Sequence, residues 1–203
     1  MITLYDHPRS GNCHKVRLLL SILGLAYDRV FVDVLAHINH EPWFDRINPN
    51  QQIPVLVDEG FTVQDSQAIL VYLAKRYDGP WFADDPQEAA QIVEWLSFAA
   101  KEVANGLQAS QLFYIADEGI DIDAAQKEGC RVLAILDRRL ANRDWLCLKR
   151  PTIADLACFP YVGLAREGRL PLDAHRNVIA WIERIVGLEG YVTMDGLPSP
   201  RLR

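Results

Sequence analysis

Every strand-forming run in this 203-residue chain lies before residue 65, and only helical spacing continues after it. Between the two halves runs Asp78-Gly79-Pro80-Trp81-Phe82-Ala83-Asp84-Asp85-Pro86, a stretch rich in Pro, Gly and Asp that reads as a joint. The division predicts an α/β domain over residues 1–78 and an all-α domain over 86–203. A length near 200 accommodates one large domain or two small ones at ~100–200 residues per domain.

The first half can be read element by element. Ile2–Asp6 is a short apolar run that stops at His7-Pro8-Arg9-Ser10-Gly11, a strand followed by a turn. Val16, Leu19, Leu20 and Leu23 recur at helical spacing, and Gly24 ends that helix. Tyr27–Val34 reads as a second strand, so the opening unit is β-α-β, with a connection long enough for a parallel pair. A short helix is placed within the irregular stretch 35–48. Pro54–Asp58, the Glu59-Gly60 turn and Phe61–Val63 form a hairpin, and Gln64-Asp65-Ser66 opens a helix carrying Ile69, Tyr72 and Leu73. The expected order is β-α-β-α-β-β-α.

In the second half, Ile92, Trp95, Leu96 and Ala99 mark one helix and Leu133, Leu136 and Leu140 another. Thr152-Ile153-Ala154-Asp155 has the form of a reciprocal helix cap, with Asp in the place usually held by Glu or Gln. The helix that follows is apolar on several sides and is expected to be buried. Val178, Trp181, Ile182 and Ile185 mark a last helix.

Composition narrows the function classes. The net charge of −6 opposes nucleic-acid binding, which needs a basic footprint. The most apolar stretch, 16–26, falls short of the ~18 residues of a membrane span, and the N-terminus lacks the features of a secretion signal, so no membrane association and a cytoplasmic location are expected. Cys13, Cys130, Cys147 and Cys158 are scattered without a CxxC pair. Neither a metal site nor a disulfide framework is expected, and the last three cysteines are read as buried, reduced thiols.

Four segments, taken in order, resemble the glutathione transferase superfamily over nearly the whole chain. Tyr5–Val16 looks like the first strand, active-site loop and helix of its serine-type members. Ile47-Asn48-Pro49 through Ile53-Pro54-Val55-Leu56 looks like its Asn-Pro…Val/Ile-Pro segment. Asp65-Ser66-Gln67-Ala68-Ile69 looks like its Glu/Asp-Ser-x-Ala-Ile motif, and Arg150–Asp155 like the cap of its C-terminal core helix. The resemblance implies a thioredoxin-like N-terminal domain, an all-helical C-terminal domain, a homodimer, and glutathione as co-substrate.

It also assigns roles. Ser10 would donate to the glutathione sulfur, and Asn12, with two amide donors, is the rival for that task; on position alone either residue is a turn or cap residue. The Ile53-Pro54 bond would be cis, turning the Ile53 backbone toward the tripeptide as a short strand addition; an ordinary trans proline at a strand start is the alternative. Ser66, at a helix start, would take the γ-glutamyl carboxylate and Asp65 the ammonium group. Gln51 and Gln52 stand where the family often has a basic residue, and His37, Asn39 and His40 are candidates to complete the glycyl end. Phe113 and Tyr114 are candidates for the second-substrate pocket.

A free thiol has a pKa of ~8.5, so lowering it by ~2 units needs ~3 kcal/mol of preference for the thiolate. A hydroxyl donor and a helix N-terminus supply that order of energy. The leading expectation is a glutathione transferase that presents this thiolate to a small electrophile. The alternatives are a glutathione-dependent isomerase, a disulfide oxidoreductase working through glutathione or Cys13, and a non-catalytic binding module. Against the isomerase, Ser10-Gly11-Asn12-Cys13 departs from a Ser-Ser-Cys style motif. Cys13 lies near a helix N-terminus, where thiol pKa values fall, but is expected to face the packing.

Overall fold

The computed structural model describes residues 1–77, 79–116 and 119–199. Four strands form one mixed sheet in the order β2-β1-β3-β4: β1 (Ile2–Asp6), β2 (Tyr27–Phe31), β3 (Val55–Asp58) and β4 (Phe61–Gln64). β1 runs parallel to β2, with Ile2 opposite Tyr27, and antiparallel to β3, with Leu4 opposite Leu56. α1 (Gly11–Ile22) makes the crossover from β1 to β2, and α3 (Ser66–Arg76) follows β4. The short helix expected in the irregular stretch is α2 (Pro42–Asp45), preceded by a 3₁₀ turn at Ile38–His40. This is the thioredoxin-like arrangement.

The second strand ends at Phe31, three residues earlier than its apolar run suggested. Val32 still donates to the Asp6 carbonyl, but the Asp33 carboxylate then accepts from the amides of Leu35 and Ala36. A local Asx turn thus takes over from the ladder.

Beyond the joint all regular structure in the described residues is helical. α4 (Pro86–Phe98), a π-helical segment (Ala99–Gln108) and α5 (Ala109–Ala116) run on without a break. α6 (Ile122–Leu140), α7 (Ile153–Gly163) and α8 (Arg176–Val186) complete the bundle. The wide middle segment packs closely on α6: a Cβ on Gly106 would fall 2.6 Å from the Gly129 amide nitrogen, so this crossing requires glycine.

α7 is the central element. The reciprocal cap forms as expected, with Thr152 Oγ1 accepting from Ala154 and Asp155 accepting from the Thr152 amide at 2.9 Å. The buried Asp155 carboxylate also accepts from the Leu146 amide and from Trp181 Nε1 on α8. α7 packs on α1 and α3 of the first half and on α4, α8 and the π-helical segment of the second, so buried residues of both halves merge into one hydrophobic cluster. A smaller cluster around Val32, Phe44 and Val55 is separate from it. The joint is tied down by Arg150, which donates to the carbonyls of Pro80 and Phe82.

Candidate functional site

The loop after β1 is held from below. Asp6 is buried at the strand end and is paired by Arg17 of α1 and Arg29 of β2. Arg17 also donates to the His7 and Pro8 carbonyls at 3.2 and 3.0 Å, so one guanidinium braces the strand end and the turn together. Ser10 closes the turn through its amide to the His7 carbonyl and caps α1, its hydroxyl accepting from the Cys13 amide at 3.3 Å.

A second loop is held by two asparagines. Asn39 Nδ2 donates to the Gln51 carbonyl and Asn48 Nδ2 to the Gln52 carbonyl, both at 2.7 Å. The Ile53-Pro54 bond is cis. Asp65 sits at φ 75°, an unfavourable left-handed backbone for a non-glycine residue, and its carboxylate caps α3 by accepting from the Gln67 and Ala68 amides at 3.0 Å.

These loops converge on one cleft of about 490 Å³. Ser10 and Asn12 line it from the start of α1, Asn39 and Gln51–Ile53 from the second loop, and Asp65 and Ser66 from the start of α3. The opposite wall is Ala99, Ala100 and Ala104 of the π-helical segment, Gln108, and Leu112 and Ile115 of α5.

Five sequence candidates, Pro54, His37, His40, Phe113 and Tyr114, lie elsewhere. Pro54 is buried outside the lining. His40 is exposed and pairs with the His37 ring, 5.5 Å between centroids. Phe113 and Tyr114 are off the cleft wall. They pack edge to face on one another, and the Arg169 guanidinium covers Tyr114 at 4.1 Å. The wall positions 104, 108, 111 and 115 are spaced 4-3-4 along the helical run, which places them on one face and turns 113 and 114 away. That spacing was present in the sequence as a usable signal.

Two matching family models, described as the N-terminal domain of glutathione S-transferase and its C-terminal domain, cover residues 1–75 and 103–189. The chain belongs to the glutathione S-transferase family. Among its relatives is the disulfide-bond oxidoreductase YfcG of Escherichia coli, 33% identical, with 91% of this chain and 90% of that protein covered. Among solved structures it resembles a glutathione S-transferase from Pseudomonas fluorescens, at TM-score 0.90 and 28% identity, covering 96% of this chain and 98% of that one. It also resembles Ure2p in complex with glutathione, at TM-score 0.83 and 26% identity, covering 93% and 90%.

In this family member the thiols are quiet at the cleft. Cys13 is fully buried, and its pKa is pushed up to about 12, by burial and then by the Asp6 charge, against opposing help from Ser10 and the His7 backbone. Burial overrides the helix N-terminus, so Cys13 stays a thiol at neutral pH. Cys147 and Cys158 are buried as expected; Cys130 is not, and its side chain on α6 is exposed. No group of three His, Cys, Asp or Glu side chains among the described residues could hold a metal ion, and no helix among them is long and apolar enough to cross a membrane.

The cleft holds groups that sequence reasoning missed. Arg9 brings a guanidinium to it, while Gln51 and Gln52 bring only amides. Outside the lining, Lys15 of α1 is buried and donates to Gln67 Oε1 at 3.2 Å; the same oxygen accepts from Ser66 Oγ at 2.7 Å. Burial lowers the Lys15 pKa to about 8, opposed by Cys158, Asp65 and Cys13. Tyr161 of α7, which the sequence marked only as part of a buried helix, reaches the cleft between Ser10 and Asn12.

Proposed function

We propose that this protein is a glutathione transferase that holds the glutathione thiolate for attack on a small electrophile. The observation that carries the reading is the convergence of the starts of α1 and α3 and the Gln51–Ile53 backbone on one cleft. Residues 1–78 form the glutathione-binding domain and 86–203 the helical domain, and the working unit is a homodimer.

The residues suit the tripeptide. Ser66, with its own amide at the start of α3, suits the γ-glutamyl carboxylate. One Asp65 oxygen is committed to the cap, and the other suits the ammonium group. The Ile53 N–H and C=O suit the cysteinyl backbone. At the glycyl end, Asn39, Gln51 and Gln52 line the cleft with polar groups that suit the glycyl part of the ligand. The sulfur then lies over the start of α1, where the Ser10 hydroxyl and the Asn12 amide are donors and the helix dipole favours negative charge. The thiolate sulfur bonds to the electrophilic carbon and the leaving group departs with the electrons of the broken bond toward the solvent-open side, while the apolar body of the electrophile lies against Leu112 and Ile115.

A second reading, glutathione-dependent reduction of disulfides, is favoured by the relationship to an oxidoreductase. Because Cys13 is buried, both reducing equivalents would come from two glutathione molecules, which leave as glutathione disulfide.

The test is a glutathione titration read by thiolate absorbance near neutral pH, with Ser10→Ala and Asn12→Ala in parallel. The proposal expects a thiolate signal that at least one substitution removes while binding persists. Turnover of an activated aryl halide without disulfide reduction supports transfer, and the reverse supports the second reading. Absence of glutathione binding would leave only a binding module for some other ligand.

A further inference from the structure

Lys15 is 1% exposed, although a lysine is almost never fully buried unless its charge is paired. Among the described residues no carboxylate forms an ion pair with it. Its Nζ lies 6.0 Å from the centroid of the Tyr161 ring and donates to Gln67 Oε1 at 3.2 Å. Asp65 acts on it electrostatically, but that carboxylate caps α3 through the Gln67 and Ala68 amides. A buried cation without a paired anion is costly, so its place beside the start of α3 calls for a reason.

The hydrogen bond supplies one. An ammonium group has three donors and no acceptor, so it decides which end of the Gln67 amide faces it: the oxygen. Ser66 Oγ donates to that oxygen at 2.7 Å, so both of its acceptor positions are filled from within the protein. The amide nitrogen is left on the other edge of the group, and Gln67 lines the cleft beside Asp65 and Ser66. The backbone amide of Ser66, at the first position of α3, has no helical acceptor either. Two N–H groups from adjacent residues thus stand at the start of one helix with a positive charge behind them, an arrangement that suits a carboxylate. The Lys15 pKa of about 8 keeps that charge in place at pH 7.

We infer that Lys15 is a positioning residue for the γ-glutamyl end of the ligand: it holds the Gln67 amide with its nitrogen toward the cleft, where the ligand α-carboxylate accepts from it. This rests on the proposed glutathione reading. Without Lys15 the amide would be free to turn and set its oxygen against the anion.

The experiment is calorimetric titration at pH 7 with two ligands, S-methylglutathione and its analogue carrying a carboxamide in place of the γ-glutamyl α-carboxylate. The proteins are wild type, Lys15→Met, Gln67→Met and the double variant. Wild type should bind S-methylglutathione at least tenfold more tightly than the carboxamide. Each single substitution should weaken S-methylglutathione about tenfold and leave the carboxamide within about twofold. On the Gln67→Met background, Lys15→Met should add less than twofold, because the group it acts through is gone. Equal losses for both ligands in Lys15→Met would overturn the inference in favour of a purely structural role, and no loss would overturn it outright. A full tenfold effect on the Gln67→Met background would overturn the route through Gln67. If Lys15→Met does not fold, Gln67→Glu decides: it keeps the partner of Lys15 but replaces the cleft-side donor with an acceptor. It should lose S-methylglutathione at least tenfold and keep the carboxamide, and unchanged binding of both would overturn the inference. Equal affinity of wild type for the two ligands would overturn it and leave the transferase reading standing. Failure of wild type to bind either ligand would overturn the proposed function itself.

Discussion

The Arg17 guanidinium grips the buried Asp6 carboxylate directly beneath the turn that carries Ser10. Removing one member of a buried pair leaves an uncompensated charge, at a typical cost of about 3 kcal/mol or more. Asp6→Ala should lose about that much in urea unfolding, and its glutathione affinity should fall with it, because the Pro8 and His7 carbonyls lose their braced donor. Arg29→Ala, at the half-exposed end of the same network, should cost under about 1 kcal/mol. Equal losses in the two variants would contradict this account.

The cysteines should separate cleanly by exposure. In the folded protein at neutral pH, iodoacetamide should modify Cys130 quickly and spare Cys13, Cys147 and Cys158, which react only after unfolding. Peptide mass mapping reads the result. Rapid labelling of Cys13 would reopen a direct thiol role for it.

His14 should make the fold acid-sensitive. Burial lowers its pKa to about 4, while one ring nitrogen meets the Val192 carbonyl at 2.8 Å. The unfolded value is about 6.5. Between those two values the unfolded chain binds the extra proton, so stability rises with pH across the window and is lost as pH falls from about 6.5 to about 4. His14→Gln should flatten that slope, removing up to about 3 kcal/mol of pH dependence in denaturation midpoints taken across the window. His7, also lowered by burial, contributes in the same direction and should leave a residual slope.

Under the proposed function, Leu112 and Ile115 of the cleft wall face the second substrate. Ile115→Ala should raise the KM for an apolar electrophile roughly tenfold, in line with the value of a few methylenes in an apolar pocket. Tyr114→Ala should leave it unchanged. Steady-state kinetics on the two variants decide the matter, and the opposite ranking would return the role to Tyr114.

What was legible in the sequence was local. The caps at Asp65 and at Thr152–Asp155 depend on residues two or three apart, and the strand and helix periods on short windows. The half of the cleft built from loops of the first domain followed, since those residues sit in short motifs of fixed order. Three features did not follow, each for a reason of distance or phase. Arg17 reaches back to Asp6 only once α1 is folded against the sheet. Tyr161 comes to Ser10 across some 150 residues of chain and carries no local sign of doing so. Phe113 and Tyr114 were misplaced because the 4-3-4 spacing that runs from Ala104 to Ile115, and turns 113 and 114 off the wall, has to be followed across two successive helical segments.

The π-helical segment also bears on how the cleft wall could change. Each turn of an i→i+5 helix holds about one residue more than an α turn. Loss of a single residue between Ala99 and Gln108 would let α5 slide by one place within its seat on α6, so that Phe113 would step into the position of Leu112. The buried side chains of α4 would stay where they are. A one-residue change in one helix would thus exchange the side chains that line this wall together. A structure of the one-residue deletion would show whether the aromatic ring enters the cleft.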